Sequence, residues 1–195
     1  MNAYLKFAAL AAGFATLAGC APLVVQSPGG QISPVNAVSQ GDDKHLMLFG
    51  HDVVSYFTEN KHQLGSAAYK SKVGEVTFRF VSAENKALFD KEPTKYIPQY
   101  GGYCANGLVY SIPWGGNADN FKIIDGKLYI FGGQGSLDAF LLNPKGNIEL
   151  ADKYWKTEVA GSNAFIHRTK RTTIARVSHY KSGEQLAAEV RKAKG

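Results

Sequence analysis

The sequence predicts an α+β fold, a small antiparallel sheet built from hairpins with short peripheral helices, and three observations carry that expectation. Val76, Phe78 and Phe80 alternate with Thr77 and Arg79, the period of a half-buried strand. Asp125-Gly126 separates two apolar runs, and this dipeptide tolerates the positive φ of a type I′ hairpin turn. Short helical stretches are bracketed by capping residues and prolines, which keeps them short. Hairpins with segregated helices make an α+β domain.

Taken in order, residues 75–81 form the first clear strand and pair with the segment around 68–72 across Val73-Gly74. Ser82 then stands at a helix N-cap, where its hydroxyl accepts an orphan backbone N–H, and the helix runs from Ala83 to Lys91 before Pro93. Residues 121–124 and 127–131 make the Asp125-Gly126 hairpin. Ser136 is expected to cap a helix through Leu142 that stops before Pro144, and Asn147 to cap another through about Thr157. Ser182 with Gln185 offers a capping box for a last helix to Lys192. No internal repeat and no heptad pattern appears.

The first nineteen residues read as an export signal. Lys6 supplies the positive region, and residues 7–18 form an apolar stretch broken only by Gly13 and Thr16. It falls short of the ~20 residues needed to cross a bilayer. Its end, Leu17-Ala18-Gly19-Cys20, resembles the bacterial lipobox, in which the thiol receives a diacylglyceryl group before cleavage. The mature chain then begins at a lipidated Cys20 and is held on a membrane by acyl chains, since two or more chains anchor stably. Lipoproteins kept at the inner membrane often carry Asp after the Cys. Ala21 stands there, so the outer membrane, facing the periplasm, is favoured.

Mature length suits one domain plus tails. Residues 20–44, rich in Pro, Gly, Ser, Gln and Asn, read as a flexible tether, residues 45–160 as the domain, and residues 161–195 as a basic C-terminal extension with a terminal helix. The charge is concentrated in the extension: residues 167–195 hold eight Lys or Arg against two Glu, whereas residues 20–166 hold thirteen basic and fourteen acidic side chains. An anionic surface or an acidic protein partner suits such a tail, and a solvated helix face is the plainer reading. Nucleic acid is not expected for an exported lipoprotein.

Gly50-His51-Asp52-Val53-Val54-Ser55-Tyr56-Phe57 resembles the Gly-Tyr-Asp-Pro-Val-Ala-Tyr-Phe opening of YHS domain proteins. Residues 78–85, Phe89, Pro93-Thr94-Lys95-Tyr96, residues 99–105, residues 125–129 and residues 151–155 continue the pattern in the same order. The resemblance spans about 49–155. It implies heavy-metal handling through members whose strand-to-helix turn reads Phe-Cys-Ser-x-x-Cys, a thiolate pair that chelates soft cations. Val81 and Asn85 occupy those two positions here, so a metal function needs other ligands.

Cys104 is the only thiol left once Cys20 is lipidated, and it has no disulfide partner in its chain. A soft-metal ligand, a redox-active nucleophile and a buried small hydrophobe all remain open for it. Some related proteins carry selenocysteine at the matching position, and Gly101, Gly102, Tyr103 and Ala105 suggest a tightly packed turn. His51 stands where the family usually has Tyr and is the second candidate, as a metal ligand or as a part-buried aromatic substitute. Asp52 is expected to stabilise its turn, and His45, His62, His167 and His179 to face solvent. Residues 110–117, with Pro113 and Trp114, form core or one wall of a pocket beside Cys104. Gly132-Gly133-Gln134-Gly135 lacks dinucleotide-binding spacing and reads as a turn.

No nucleophile elbow or zinc-protease helix is present, so no enzyme is expected. Two principal functions follow: an extracytoplasmic binding module for a soft heavy metal ion such as copper, using Cys104 with His51, or a thiol-based redox protein cycling Cys104 with an external thiol. A structural envelope protein acting through its basic tail is the third.

Overall fold

The computed structural model describes residues 33–195. The expected leader, Cys20 and most of the expected tether lie outside them. The chain is α+β, with a four-stranded mixed sheet and a separate two-stranded antiparallel sheet.

Strands β1 (Ala37–Gln40) and β2 (Asp43–Met47) form a hairpin across Gly41, which has a positive φ. The expected tether therefore ends about ten residues early. Val35 and Ala37 are fully buried, and Asn36 is tied down by its N–H donating to Gly101 O and its side-chain amide donating to Gly102 O and Gly116 O. Burial of two small apolar residues around a satisfied Asn outweighs the polar composition that suggested disorder.

A tight turn (Leu48–Gly50) and one-turn helix α1 (Ser55–Thr58) lead to strands β3 (Ser66–Val73) and β4 (Val76–Phe80). These pair antiparallel as expected, and Ser82 accepts from the Asn85 N–H at the start of α2 (Ala83–Lys91). The sheet order is β1-β2-β4-β3, and β2 runs parallel to β4 at Leu46–Thr77, so the sheet is mixed rather than wholly antiparallel. Arg79 clamps this junction, its guanidinium donating to Asp43 Oδ2 at 2.6 and 2.8 Å.

Helix α3 (Pro93–Tyr96) and a second tight turn (Gln99–Gly102) precede one-turn helix α4 (Ala105–Leu108), strands β5 (Asn117–Ile124) and β6 (Lys127–Phe131), and helix α5 (Gln134–Leu141). Asp125 and Gly126 have φ of 49° and 72°, as the I′ hairpin requires. Helix α5 starts two residues before the expected Ser136, after Gly133. Pro144 does not merely stop α5; it opens α6 (Pro144–Tyr154) at the N1 position, where its missing N–H costs nothing, and Asn143 rather than Asn147 caps it. Asn147 instead donates to Phe140 O.

These elements form a backbone repeat that the sequence conceals. The first unit is turn, one-turn helix, hairpin and helix; the second has the same order. The turns begin at 48 and 99, the one-turn helices at 55 and 105, the hairpin strands at 66 and 117 and at 76 and 127, and the following helices at 83 and 134, an offset of 50–51 residues that widens to 52 between Asp52 and Cys104, the residues before the one-turn helices. Positive-φ residues recur at the same offset: Phe49 and Tyr100, Asn60 and Ser111, Gly74 and Asp125. Identities persist where space demands them. A Cβ at Gly65 would lie 2.5 Å from the Arg79 backbone, and one at Gly116 would lie 2.5 Å from Gly102 O and 2.6 Å from Ile130.

Strand β6 separates two cores. Leu128 and Ile130 point into one with Phe78, Phe80, Phe89 and Tyr56, while Tyr129 and Phe131 point into the other with Tyr103, Phe140 and Leu108. Both faces are buried, so the period-2 alternation sorts apolar residues between cores rather than from core to solvent.

The basic extension is part of the second core. After a π-helical turn (Trp155–Val159) come α7 (Ala164–Thr173) and α8 (Gly183–Lys194), the latter with the expected Ser182–Gln185 capping box. Ala164, Val177, Tyr180 and Leu186 pack into that core. His167 and His179 are not solvent-facing: each is half-buried, His167 Nε2 lying 3.0 Å from Ser111 O and His179 Nε2 2.9 Å from Val109 O.

Candidate functional site

Cys104 is placed by small residues. Gly101 and Gly102 have φ of 59° and 78°, and a methyl on Gly101 would meet Pro34 O at 2.2 Å, so only glycine lets the chain turn there. The turn delivers Cys104 to the start of α4, its N–H donating to Trp114 O and its backbone bridging to Ile130. Its side chain is 3% exposed, within the second core. That is the tightly packed turn the sequence suggested.

A cleft of about 360 Å³ opens over the thiol. One wall is Tyr110 and Trp114, the pocket-wall alternative for this segment; Tyr110 is at once core and wall. The second wall is Gly132 and Ser136, so the glycine-rich turn has a place in the site after all, though not as a nucleotide loop. The third is Tyr180, Lys181 and Leu186 from the extension. A larger cleft of about 480 Å³ continues from it between α5 and α8, sharing Gly132, Ser136, Gly183 and Leu186 and ending at Arg191. Sequence reasoning missed the wall from α8; its signal was Leu186 and Val190, four residues apart on one helix face.

The repeat shows what this cleft corresponds to. In the first unit Asp52 precedes the one-turn helix and its N–H donates to Gln63 O, as the Cys104 N–H donates to Trp114 O in the second. Asp52 is fully buried. Its Oδ1 accepts from the Val54 and Ser55 N–H groups, and its Oδ2 accepts from the Val81 N–H at 2.9 Å and the Asn85 side-chain amide at 2.8 Å. Asp52 thus stabilises its turn, as expected. Val81 and Asn85, the positions where the family resemblance implies thiolates, are here committed to holding that carboxylate.

Residues 51 further on are Gly132 and Ser136, the wall beside Cys104. A Cβ at Gly132 would stand 3.6 Å from Cys104 Sγ. One arrangement is therefore built twice. The first copy is closed by Asp52 and Asn85, while the second, with a thiol, a glycine and a serine, is left open.

His51 lies elsewhere. Its Nδ1 is 2.9 Å from Leu48 O, and its ring stacks on His62 with centroids 5.9 Å apart, beside a shallow cleft shared with Phe49, Asn117 and Asp119. That cleft has no residue in common with the Cys104 cleft, so the structure does not join His51 to Cys104 as a ligand pair. Among the described residues no group of three or more His, Cys, Asp or Glu side chains is placed to hold a metal ion, and a resident polydentate centre does not fit them.

At Ser111, next to the wall residue Tyr110 in the chain, electrostatics centre on Glu158. Burial would raise its carboxyl, but Arg171 and the Ser111 hydroxyl outweigh that and hold it below the ordinary range. Burial pushes neighbouring His167 below its ordinary value, so the fold holds it neutral. Burial likewise pushes the Tyr110 hydroxyl up to about 12, leaving it a neutral donor at the cleft wall.

Comparison with known protein families, with curated proteins and with solved structures finds no match to this chain.

Proposed function

We propose that the protein is a lipid-anchored, extracytoplasmic binding module, not an enzyme, that carries a soft heavy metal ion such as copper as cargo in the cleft over Cys104. The observation that carries the reading is the duplicated arrangement. The resemblance to YHS domains places soft donors at the strand-to-helix turn of the first unit, where this chain has Val81 and Asn85. The counterpart turn of the second unit, Gly132 to Ser136, faces the single thiol among the described residues across an open cleft.

A thiolate is the donor type that soft ions select. Copper(I) accepts two such donors, so Cys104 supplies one and the other arrives with the cargo from the protein or thiol that delivers it. Tyr110 and Trp114 shelter the ion from water. His51 has no part in this reading.

The lipobox-like end of the leader supports acylation at Cys20 and a position on the outer membrane facing the periplasm. No helix among the described residues is long and apolar enough to cross a membrane. Elemental analysis of the reduced protein after loading with copper(I) and gel filtration tests the reading. The parent should retain copper stoichiometrically and Cys104→Ser should not; equal retention by both, or none by the parent, refutes it. Oxidation of Cys104 to a mixed disulfide without copper retention would favour the thiol-redox alternative.

A further inference from the structure

Helix α7 is turned outward. Three of its polar side chains are spent on the body of the protein: Arg171 pairs with Glu158, His167 meets Ser111, and Arg168 donates to Pro113 O and lies over the Trp114 ring. Of its apolar side chains Ala164 packs inward, whereas Phe165 and Ile166, with Ile174 just past its end, face solvent. Ile174 is 82% exposed, Ile166 65% and Phe165 44%, with Trp114 beside them at 47%. Thr169, Lys170 and Thr173 complete the outer face. A soluble helix shows the reverse pattern, and single exposed apolar residues are ordinary whereas a row of them on one face marks a contact surface.

Two further observations say what covers it. Residues 159–183 contain five Lys or Arg and no Asp or Glu, and the neighbouring Glu158 is neutralised by Arg171, so the exposed charges of this segment are cationic. The described chain also begins beside this helix: the Gly161 N–H, two residues before the Asn163 cap of α7, donates to Ser33 O at 2.9 Å. Ser33 lies thirteen positions after Cys20, a reach of at most about 45 Å.

We infer that the outer face of α7, with Trp114 at its edge, docks on the surface of a bilayer containing anionic phospholipid. Ile166, Ile174 and Phe165 enter the headgroup boundary, and Lys170 and Arg176 meet the phosphates. Aromatic and aliphatic side chains beside Lys and Arg, with no acidic residue, are the composition of a helix that lies in the interface plane. This inference rests on the lipid-anchor reading for its setting: acyl chains on Cys20 would keep the tether's exit, and with it α7, within tens of ångströms of the membrane. Docking there fixes the orientation of the Cys104 cleft, since Trp114 belongs to both the cleft wall and the patch.

The test uses the full chain made in a bacterial host, extracted in detergent and reconstituted into phosphatidylethanolamine vesicles with or without phosphatidylglycerol. Mass analysis of the N-terminal peptide reads acylation at Cys20 separately. A fluorophore on Ile174→Cys, in a Cys104→Ser background, is compared with one on Leu88→Cys of α2, using bromine-labelled lipids as quencher. Quenching should be several-fold greater at 174 than at 88 on anionic vesicles, weaker on zwitterionic vesicles and at high salt, and lost in Ile166→Ser with Lys170→Glu. Those two residues are exposed, and unchanged circular dichroism confirms the fold. Equal quenching at 174 and 88, acylated or not, overturns the inference. Quenching by unacylated chain added to anionic vesicles upholds it while the anchor reading fails. A 174 probe unquenched in vesicles but shielded from a soluble thiol reagent in intact envelopes overturns it in favour of a protein partner.

Discussion

Removing the Asp52 carboxylate should cost this fold more than any exposed substitution. Asp52→Ala deletes an acceptor that takes hydrogen bonds from the Val54 N–H at 2.8 Å, the Ser55 N–H at 3.3 Å, the Val81 N–H at 2.9 Å and the Asn85 amide at 2.8 Å. Three of these are short and well made, and the acceptor is fully buried. A buried donor left without a partner costs about 1–3 kcal/mol. Water reaching the half-buried Val81 end relieves part of that, so the expected loss is about 3–5 kcal/mol, a large share of the roughly 5–15 kcal/mol that holds a domain together. For a domain of this size the melting temperature should fall by roughly 6–20 °C. Asp52→Asn should fall between, because its one oxygen can serve either pair of donors but not both. Thermal melting followed by circular dichroism, with urea titration for the free energy, measures both variants. A loss below about 1 kcal/mol for Asp52→Ala would show that the carboxylate does not organise the first unit, and would remove the contrast with the open Cys104 cleft.

Gly101→Ala should destabilise by at least about 2 kcal/mol, since it adds strain at a positive φ to a 2.2 Å clash with Pro34 O. Faster exchange of the Asn36 amide would locate the damage at the N-terminal segment, and an unchanged exchange rate would refute that assignment. Stability should fall as pH drops below about 6.5, because burial lowers the folded value of His167 and the unfolded chain therefore binds the proton first. A further loss should follow below about 4.5 as Glu158, held low by Arg171 and Ser111, is protonated. Unfolding free energies for the parent and His167→Gln across this range test the sign: the variant should lose only the first portion. Native Cys104, 3% exposed, should alkylate slowly and become fast in denaturant; fast labelling of the native protein would mean the cleft is wider in solution.

Local signals are legible in the sequence because each acts within a few residues. The Ser82 cap, the Asp125-Gly126 turn and the Ser182–Gln185 box need no information from elsewhere in the chain. The start of α6 differs from the expected Asn147 cap for a related reason: the same proline ring that ends one helix suits the first turn of the next, and sequence alone does not say which use is made of it. Polar composition hid the folded segment 33–44, where one satisfied asparagine and two small apolar residues suffice. The repeat was invisible because backbone geometry constrains only a few positions, such as Gly65 and Gly116, and leaves the rest free to diverge.

By itself the sequence determined the fold class, the β3–β4 and β5–β6 hairpins and the capped helices, and it singled out Cys104 as the thiol in a tight turn. Only the tertiary structure decided that β2 lies parallel to β4, that the basic extension completes the second core, and that Cys104 faces Gly132 and Ser136 rather than His51. Caps, turns and alternation are properties of neighbouring residues. Which apolar faces meet, and what space they leave, depends on burying all of them at once.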